Sequence, residues 1–183
     1  MRDYHIAMIV GSLRQRSINR QLAVAVAQLG PANFSFVTVR IDDLPLYNQD
    51  DDAHPGAAVK RMKAEIKNSN GVIFVTPEYN RSIPGVLKNA IDHASRPYGE
   101  SAWLGKPAGL MGASLGAMGT SMAQQHLRNI LACLDVPTLG LPEVFIHAKD
   151  GFFDEAGEIN ETSKAFLQQW MDQYVVWVTH HAT

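Results

Sequence analysis

Side chains that could bind a phosphate cluster at residues 11–19, where the chain reads Gly-Ser-Leu-Arg-Gln-Arg-Ser-Ile-Asn. A strand-like run precedes this segment and a helix-like run follows it, and the free backbone N–H groups at a helix start bind phosphate. Ser12, Ser17 and Asn19 add donors, and Arg14 adds a charge-assisted contact. The segment is neither a Walker A motif nor G-x-G-x-x-G, which favours a monophosphate over ATP or a dinucleotide. The alternative is a helix capped by Ser17 or Asn19 beside a solvated arginine.

A second polar loop, residues 76–85, follows the most hydrophobic strand-like run and reads Thr-Pro-Glu-Tyr-Asn-Arg-Ser-Ile-Pro-Gly. Pro77 and Pro84 stiffen its two ends, and its main-chain N–H groups could meet the polar edge of a planar ring. Tyr79 could contact that ring or a molecule stacked on it. The alternative is a turn between prolines that caps the next helix through Ser82.

Residues 112–116 read Gly-Ala-Ser-Leu-Gly, which matches the G-x-S-x-G elbow of serine hydrolases and lies between a strand and a helix. Ser114 would be the nucleophile. The later residues that could nominally complete a triad are Asp135, Asp154, His147 and His180. The chain is short for an α/β-hydrolase, it has no HGGG-like oxyanion segment, and a hydrolase would leave the first two loops without a role. We favour the alternative that Gly112, Gly116 and Gly119 let the backbone closely approach a ligand or a partner subunit.

Alternating strand-like and helix-like segments must position these loops. Strands are predicted at 4–10, 34–41, 71–75, 107–113 and, interrupted by two prolines, 136–146. Helices are predicted at 18–29, 57–67, 84–95, 120–134 and 161–177. This alternation predicts an α/β three-layer sandwich in which helices cover both faces of a five-stranded parallel sheet. The order 2-1-3-4-5 is expected, with the ligand crevice at the carboxyl ends of strands 1 and 3.

The composition is that of one ordinary domain, which we predict to span residues 1–183. A net charge of −2 provides no basic field, so neither nucleic acid nor a membrane is expected as a partner. We see no signal peptide and no apolar run near the roughly 20 residues of a membrane helix. The single cysteine, Cys133, favours the cytoplasm and is expected to be buried on its helix. The seven histidines have no metal-ligand spacing, so no metal site is predicted.

The motifs together resemble the NADPH-dependent FMN reductases, a family that includes bacterial quinone, chromate and azo-dye reductases. The likeness depends most on Gly-Ser-Leu-Arg-x-x-Ser-x-Asn at 11–19 and Pro-Glu-Tyr-Asn-x-Ser-x-Pro-Gly at 77–85. It continues through Leu-Lys-Asn-Ala-Ile-Asp at 87–92, Gly-Lys-Pro at 105–107, Ser-x-Gly-x-x-Gly at 114–119 and His-Leu-Arg-x-Ile-Leu at 126–131. It extends over most of the chain and is weakest in the last helix.

The resemblance implies a flavodoxin-like fold with FMN as the cofactor. It implies that the FMN phosphate lies at Ser12, Arg14, Ser17 and Asn19, with Leu13 and Ile18 also in the cofactor-binding set. It implies that Pro77, Glu78, Tyr79 and Asn80 lie along the isoalloxazine ring and that Ser114 lies near the ring's other edge. Arg81 and residues 97–103 receive no role, because they are less uniform in the family.

The implied function is an NAD(P)H-dependent, FMN-containing reductase in which NADPH or NADH and then an electron acceptor bind in a ping-pong cycle. The expected acceptors are quinones, azo compounds, metal oxyanions or free flavin. The flavin N5 carries the chemistry, so no side chain is predicted to be catalytic. The family forms dimers and often tetramers, and residues 112–131 are the candidate interface. The alternative is a flavin-binding electron carrier, but the arginine in the phosphate loop and the small net charge favour the enzyme.

Overall fold

The computed structural model describes residues 2–149, 152–154 and 157–181, and in them five parallel strands form one sheet of order β2-β1-β3-β4-β5. The strands are β1 (Tyr4–Val10), β2 (Phe34–Thr38), β3 (Gly71–Val75), β4 (Ala108–Ser114) and β5 (Phe145–His147). The helices are α1 (Ile18–Ala27), α2 (Ala57–Lys67), α3 (Gly85–Ala94), α4 (Ser121–Cys133) and α5 (Glu161–His181). The predicted fold class and strand order are confirmed.

The helices divide between the two faces of the sheet. α1 and α5 bury their apolar side chains in one core cluster, and α2, α3 and α4 bury theirs in the other. Successive residues of β1 serve the two clusters in turn, since Ile6 and Met8 belong to the first and Ala7 and Ile9 to the second. β1 and β3 are neighbours, but α1 and α3 leave them toward opposite faces. A crevice therefore opens at the carboxyl ends of these two strands.

Large aromatic side chains fill both cores, and glycines on the strands make room for them. Trp170 stacks on Tyr174 with ring centroids 5.2 Å apart, and a side chain at Gly109 would overlap both rings. The Tyr174 hydroxyl is buried and has no hydrogen-bond partner among the described residues. This burial raises the pKa of Tyr174 well above its ordinary value. On the other face, Phe74 lies 5.5 Å from Trp103, centroid to centroid.

Several element ends differ from the predictions. β2 stops at Thr38, because β2 is an edge strand and its ladder with β1 ends there. β5 is limited to three residues because the two prolines before it have no N–H to donate. α5 continues past the predicted end at 177 to His181, whose Nδ1 donates to the Trp177 carbonyl oxygen over 2.9 Å.

The cysteine prediction was also wrong, because Cys133 is exposed at the last residue of α4. Leu127 and Leu131 turn toward the sheet and are fully buried, whereas Cys133 lies on the other side of the final helical turn. None of the helices in the described ranges is both long and apolar enough to cross a membrane.

Candidate functional site

The loop after β1 carries its charges on the surface and its hydroxyls inside. Ser12 and Ser17 are buried, each only 4% exposed, while Arg14 and Arg16 are exposed. The loop is attached to the sheet at its start, where the Gly11 N–H donates to the Val75 carbonyl oxygen over 2.9 Å. The loop therefore presents two exposed guanidinium groups and two buried hydroxyl groups at the carboxyl end of β1.

The backbone of this loop provides donors for a ligand. In the part of the chain that the structure describes, the N–H groups of residues 12–18 donate to no other group. Ser17 is the N-cap of α1, and its Oγ accepts from the Arg20 N–H over 3.3 Å. The first turn of α1 has no acidic residue to compete for these donors. Free N–H groups and the positive end of the helix dipole together form an anion-binding site.

Asn19 has a structural task that the sequence did not indicate. Its Nδ2 donates to the Ala113 carbonyl oxygen and its Oδ1 accepts from the Ala113 N–H, both over 2.9 Å. The last residue of β4 paired with β3 is Met111, so the amide of Asn19 replaces a strand beside Ala113. The amide thus fastens α1 to β4 at the crevice, in addition to lining it.

The loop after β3 is a tight, internally bonded turn. Tyr79 and Ser82 exchange two backbone hydrogen bonds of 2.9 and 3.0 Å. Between them, Asn80 and Arg81 have φ values of 52° and 63°, the left-handed conformation of a type I′ turn. Tyr79 is half-exposed at the crevice, and Asn80 lies at the exposed tip.

Two side-chain contacts fasten this turn to α4. The Oε2 atom of Glu78 accepts from the Ala123 N–H over 3.0 Å, and Ser82 Oγ shares a 3.0 Å hydrogen bond with Nδ1 of His126. Thr120, the N-cap of α4, makes no side-chain cap bond. Glu78 therefore caps α4 from another part of the chain, where the helix dipole favours a carboxylate. The alternative that Ser82 caps α3 is wrong, because the N-cap of α3 is Pro84.

The loop after β4 is not built as a nucleophile elbow. Ser114 Oγ accepts from the Gly116 N–H over 3.1 Å, and Nε2 of His147 donates to the Leu115 carbonyl oxygen over 3.0 Å. Among the described residues, no hydrogen bond joins Ser114 to a histidine. The geometry gives the hydrolase alternative no support.

Two glycines of this region serve the chain's own packing. A Cβ on Gly112 would lie far inside contact distance of the Thr76 carbonyl oxygen and the Thr120 hydroxyl. Gly119 has φ +60°, and its Cβ would lie 2.9 Å from the Phe145 carbonyl carbon. At these two positions the close approach is to the protein's own backbone and side chains, which corrects the expectation of a ligand or a partner subunit.

The three loops meet around a cavity of about 280 Å³. Most of the residues predicted to bind the cofactor line this cavity. They are Ser12, Arg14, Ser17, Ile18, Asn19, Pro77, Glu78, Tyr79 and Ser114. Leu13 and Asn80 lie beside the cavity in sequence but are not part of its lining. Arg16, Ala113 and Leu115 line it without having been predicted. The predicted phosphate-binding set omitted Arg16, although its position two residues after Arg14 adds a second cation to the same loop.

The donor set of this cavity fits a phosphorylated aromatic ligand such as FMN. Arginines, hydroxyls and free N–H groups converge at the α1 end, which suits a phosphate. Pro77, Tyr79 and Leu115 provide flat or apolar surface at the other end, which suits a ring. A mostly apolar pocket with a few convergent polar groups is the usual form of a small-molecule site.

Other cavities lack this convergence. One of about 510 Å³ lies between α3 and α4, where Lys88 and Asp92 already form an ion pair beside exposed Cys133. Another lies beside residues 45–56, where Nε2 of His93 donates to the Pro45 carbonyl oxygen over 2.9 Å. Within the described ranges, no three His, Cys, Asp or Glu side chains are grouped as metal ligands.

Comparison with known proteins agrees with the geometry. Residues 4–151 match the family model described as NADPH-dependent FMN reductase. The chain is 49% identical over 174 residues to a 2-hydroxy-1,4-benzoquinone reductase of a Burkholderia species, covering 94% of this chain and 95% of the relative. It is 47% identical over 176 residues to a quinone reductase of Pseudomonas putida, covering 96% and 95%.

Solved structures give the same result. The flavoenzyme FerB of Paracoccus denitrificans, an NAD(P)H:(acceptor) oxidoreductase, superposes with a TM-score of 0.94 at 39% identity, covering 98% of this chain and all of FerB. A flavodoxin, WrbA-like protein of Agrobacterium tumefaciens superposes with a TM-score of 0.65 at 14% identity, a likeness of fold alone.

Proposed function

This chain belongs to the NADPH-dependent FMN reductase family, and from that premise we propose that FMN binds in the cavity where the three loops meet. The chain is an oxidoreductase that uses FMN, takes electrons from NAD(P)H and delivers them to a small-molecule acceptor. The observation that carries the proposed site is the convergence of loops from β1, β3 and β4 on one cavity with cations at one end.

The phosphate end of the proposed site is the loop after β1. Arg14 supplies a charge-assisted contact, Ser12 and Ser17 supply hydroxyls, and the free N–H groups of the loop complete the cradle. Ile18 lines the cavity, and Leu13, between Ser12 and Arg14 in the loop, is half-exposed. Asn19 positions the loop, because both ends of its amide are bound to Ala113.

The ring end of the proposed site is the loop after β3, with Ser114 opposite. Pro77 and Tyr79 line the cavity, and Asn80 follows Tyr79 at the exposed tip of the turn. Glu78 lines the cavity while its carboxylate caps α4, so it holds the wall in place. When bound, FMN supplies hydride and electron transfer at its N5 atom, while the protein binds, orients and shields it. No side chain is proposed as an acid or base.

A ping-pong cycle is supported by the exposed residues of the cavity lining. Tyr79 and Leu115 line the cavity and are both exposed, so a molecule from solvent can reach a ring bound there. The two substrates would therefore reach that ring in turn. Initial rates measured at several fixed acceptor concentrations would give parallel double-reciprocal lines, whereas intersecting lines would contradict the cycle.

A quinone is the proposed acceptor, with azo compounds, metal oxyanions and free flavin as slower ones. The support is the naming of the Burkholderia and Pseudomonas relatives together with the apolar rim, which suits a planar, uncharged molecule. Comparing kcat/KM for a benzoquinone, an azo dye, chromate and FMN would rank them. The same assay with NADPH and NADH would establish the donor preference.

The domain extent, the oligomeric state and the cellular location are proposed as well. We propose one domain over residues 1–183, a homodimer or homotetramer, and a cytoplasmic location supported by the lone thiol. The candidate interface, residues 112–131, exposes Leu115, Met118 and Met122. Light scattering on the eluted protein would give two or four times the chain mass of 20.1 kDa if the protein is a homodimer or homotetramer, and a mass of 20.1 kDa would contradict this assembly.

The first experiment is an absorbance spectrum of the purified protein with FMN, followed by NADPH without oxygen. Bound flavin that bleaches within seconds is the expected result. Bound flavin that stays oxidised would favour the electron-carrier alternative. A protein that binds no flavin would contradict the proposed site.

A further inference from the structure

Arg14 and Arg16 are the two cations that line the cavity, and neither forms an ion pair within the described residues. Some other arginines do lie beside carboxylates. Arg61 lies 2.8 Å from an Asp43 carboxylate oxygen, and Nε of Arg128 lies 3.9 Å from a Glu143 carboxylate oxygen. Among the described residues, no carboxylate therefore neutralises the charges of the two arginines that line the cavity.

The surroundings of these two guanidinium groups contain little negative charge. Of the described residues lining the cavity, Glu78 alone is acidic, and one of its oxygens is bound to the Ala123 N–H. The first turn of α1 has no acidic residue, and its dipole adds positive potential. Two like charges that line one cavity repel each other, and a bound anion would relieve this repulsion.

A phosphate monoester carries a charge of about −1.5 to −2 at neutral pH. One arginine leaves part of that charge uncompensated, whereas two arginines compensate it. We propose that Arg16 is a specificity-determining residue that, together with Arg14, makes this chain select flavin carrying a phosphate over unphosphorylated riboflavin. This inference rests on the proposed FMN site.

The position of Arg16 separates it from its neighbours. Gln15 precedes it without lining the cavity, and Arg20, in the first turn of α1, is exposed and also outside the lining. Arg20 provides a matched control because it carries the same charge on the same segment. A general positive field would involve both arginines, and a direct contact would involve only Arg16.

The test is a titration of FMN and of riboflavin into the wild-type protein, Arg16→Gln and Arg20→Gln, followed by quenching of flavin fluorescence. Loss of one charge-assisted contact predicts a Kd for FMN about 10-fold higher in Arg16→Gln. The Kd for riboflavin is expected to change by less than about twofold, since no phosphate is present. Arg20→Gln is expected to change both constants by less than about twofold, because its charge is screened.

The dependence of FMN affinity on ionic strength gives a second readout. The FMN affinity of the wild-type protein should fall more steeply with ionic strength than that of Arg16→Gln, because the variant has lost one ionic contact.

Equal slopes of affinity against ionic strength, or equal losses of FMN and riboflavin binding, would overturn the inference. So would an Arg20→Gln variant as impaired as Arg16→Gln. If the wild-type protein binds neither flavin, the proposed function fails and the inference fails with it. Tight wild-type binding that Arg16→Gln leaves unchanged would overturn the inference alone.

Discussion

The loop after β1 and the loop after β3 face each other across the same crevice, but they are held in different ways. The first has exposed arginines and backbone N–H groups with no partner among the described residues. The second is closed by the Tyr79–Ser82 pair and fastened to α4 through Glu78 and Ser82. The first loop leaves donors available for a ligand, whereas the second is held by hydrogen bonds within the protein.

This difference separates two kinds of mutational effect. Changes in the first loop remove contacts to a ligand, so they should alter affinity more than stability. Changes in the second loop, or in the residues that support either loop, remove contacts within the fold and should lower stability. Four predictions test this separation between effects on affinity and effects on stability.

The largest effect is expected at Gly112, which lies against the start of the second loop. Gly112→Ala would force a Cβ into the Thr76 backbone, and overpacking of this kind costs about 3 kcal/mol. For a chain of this size the thermal midpoint should fall by about 6–12 °C. The matched control is Gly116→Ala, whose nearest neighbour would lie at 3.5 Å. Calorimetry that finds both variants equally stable would show that the tight contact does not constrain this loop.

Asn19→Ala is expected to cost about 2–3 kcal/mol, because it leaves the buried N–H and carbonyl of Ala113 without partners. The measurement is the free energy of unfolding in urea. Asn33→Ala serves as the control, since it removes one exposed hydrogen bond to the Arg2 carbonyl oxygen and should cost less than about 1 kcal/mol. A loss at Asn19 no larger than at Asn33 would mean that the first loop does not depend on this support.

Glu78→Ala should lower stability by about 1–2 kcal/mol through loss of the α4 cap, and Glu78→Gln, which keeps an acceptor, by about 0.5 kcal/mol. Arg14→Gln in the first loop should change stability by less than about 0.5 kcal/mol while weakening FMN binding. Urea unfolding without ligand and flavin titration would be run on all three variants. Arg14→Gln destabilised as much as Glu78→Ala would erase the contrast between the loops.

The smallest effect is expected at the contact between Ser82 and His126. Both residues are at least partly exposed, so Ser82→Ala should cost about 0.5 kcal/mol. A double-mutant cycle with His126→Ala should give a coupling energy of about 0.5 kcal/mol. Strict additivity of the two changes would mean that the hydrogen bond does not hold the turn.

Much of the architecture was predictable because its signals are local. β3 and α2 have the predicted bounds, since a continuous apolar run and a helical spacing each report burial along a short stretch. The predicted helix start after Gly11 is likewise present, since α1 begins at Ile18; the binding of a phosphate there stays a prediction. Element ends were less accurate: α5 runs past Trp177 to His181 because a ring contact at its end adds packing that periodicity does not report.

What the sequence alone determined is the order of strands and helices and the presence of two polar loops at strand ends, because both follow from residue type and short-range spacing. Only the tertiary structure decided that Asn19 is bound to Ala113, that Glu78 caps α4 and that Gly112 faces Thr76. Each of these contacts joins residues far apart in the chain. Such contacts depend on how packed elements are aligned, and no local pattern encodes that alignment.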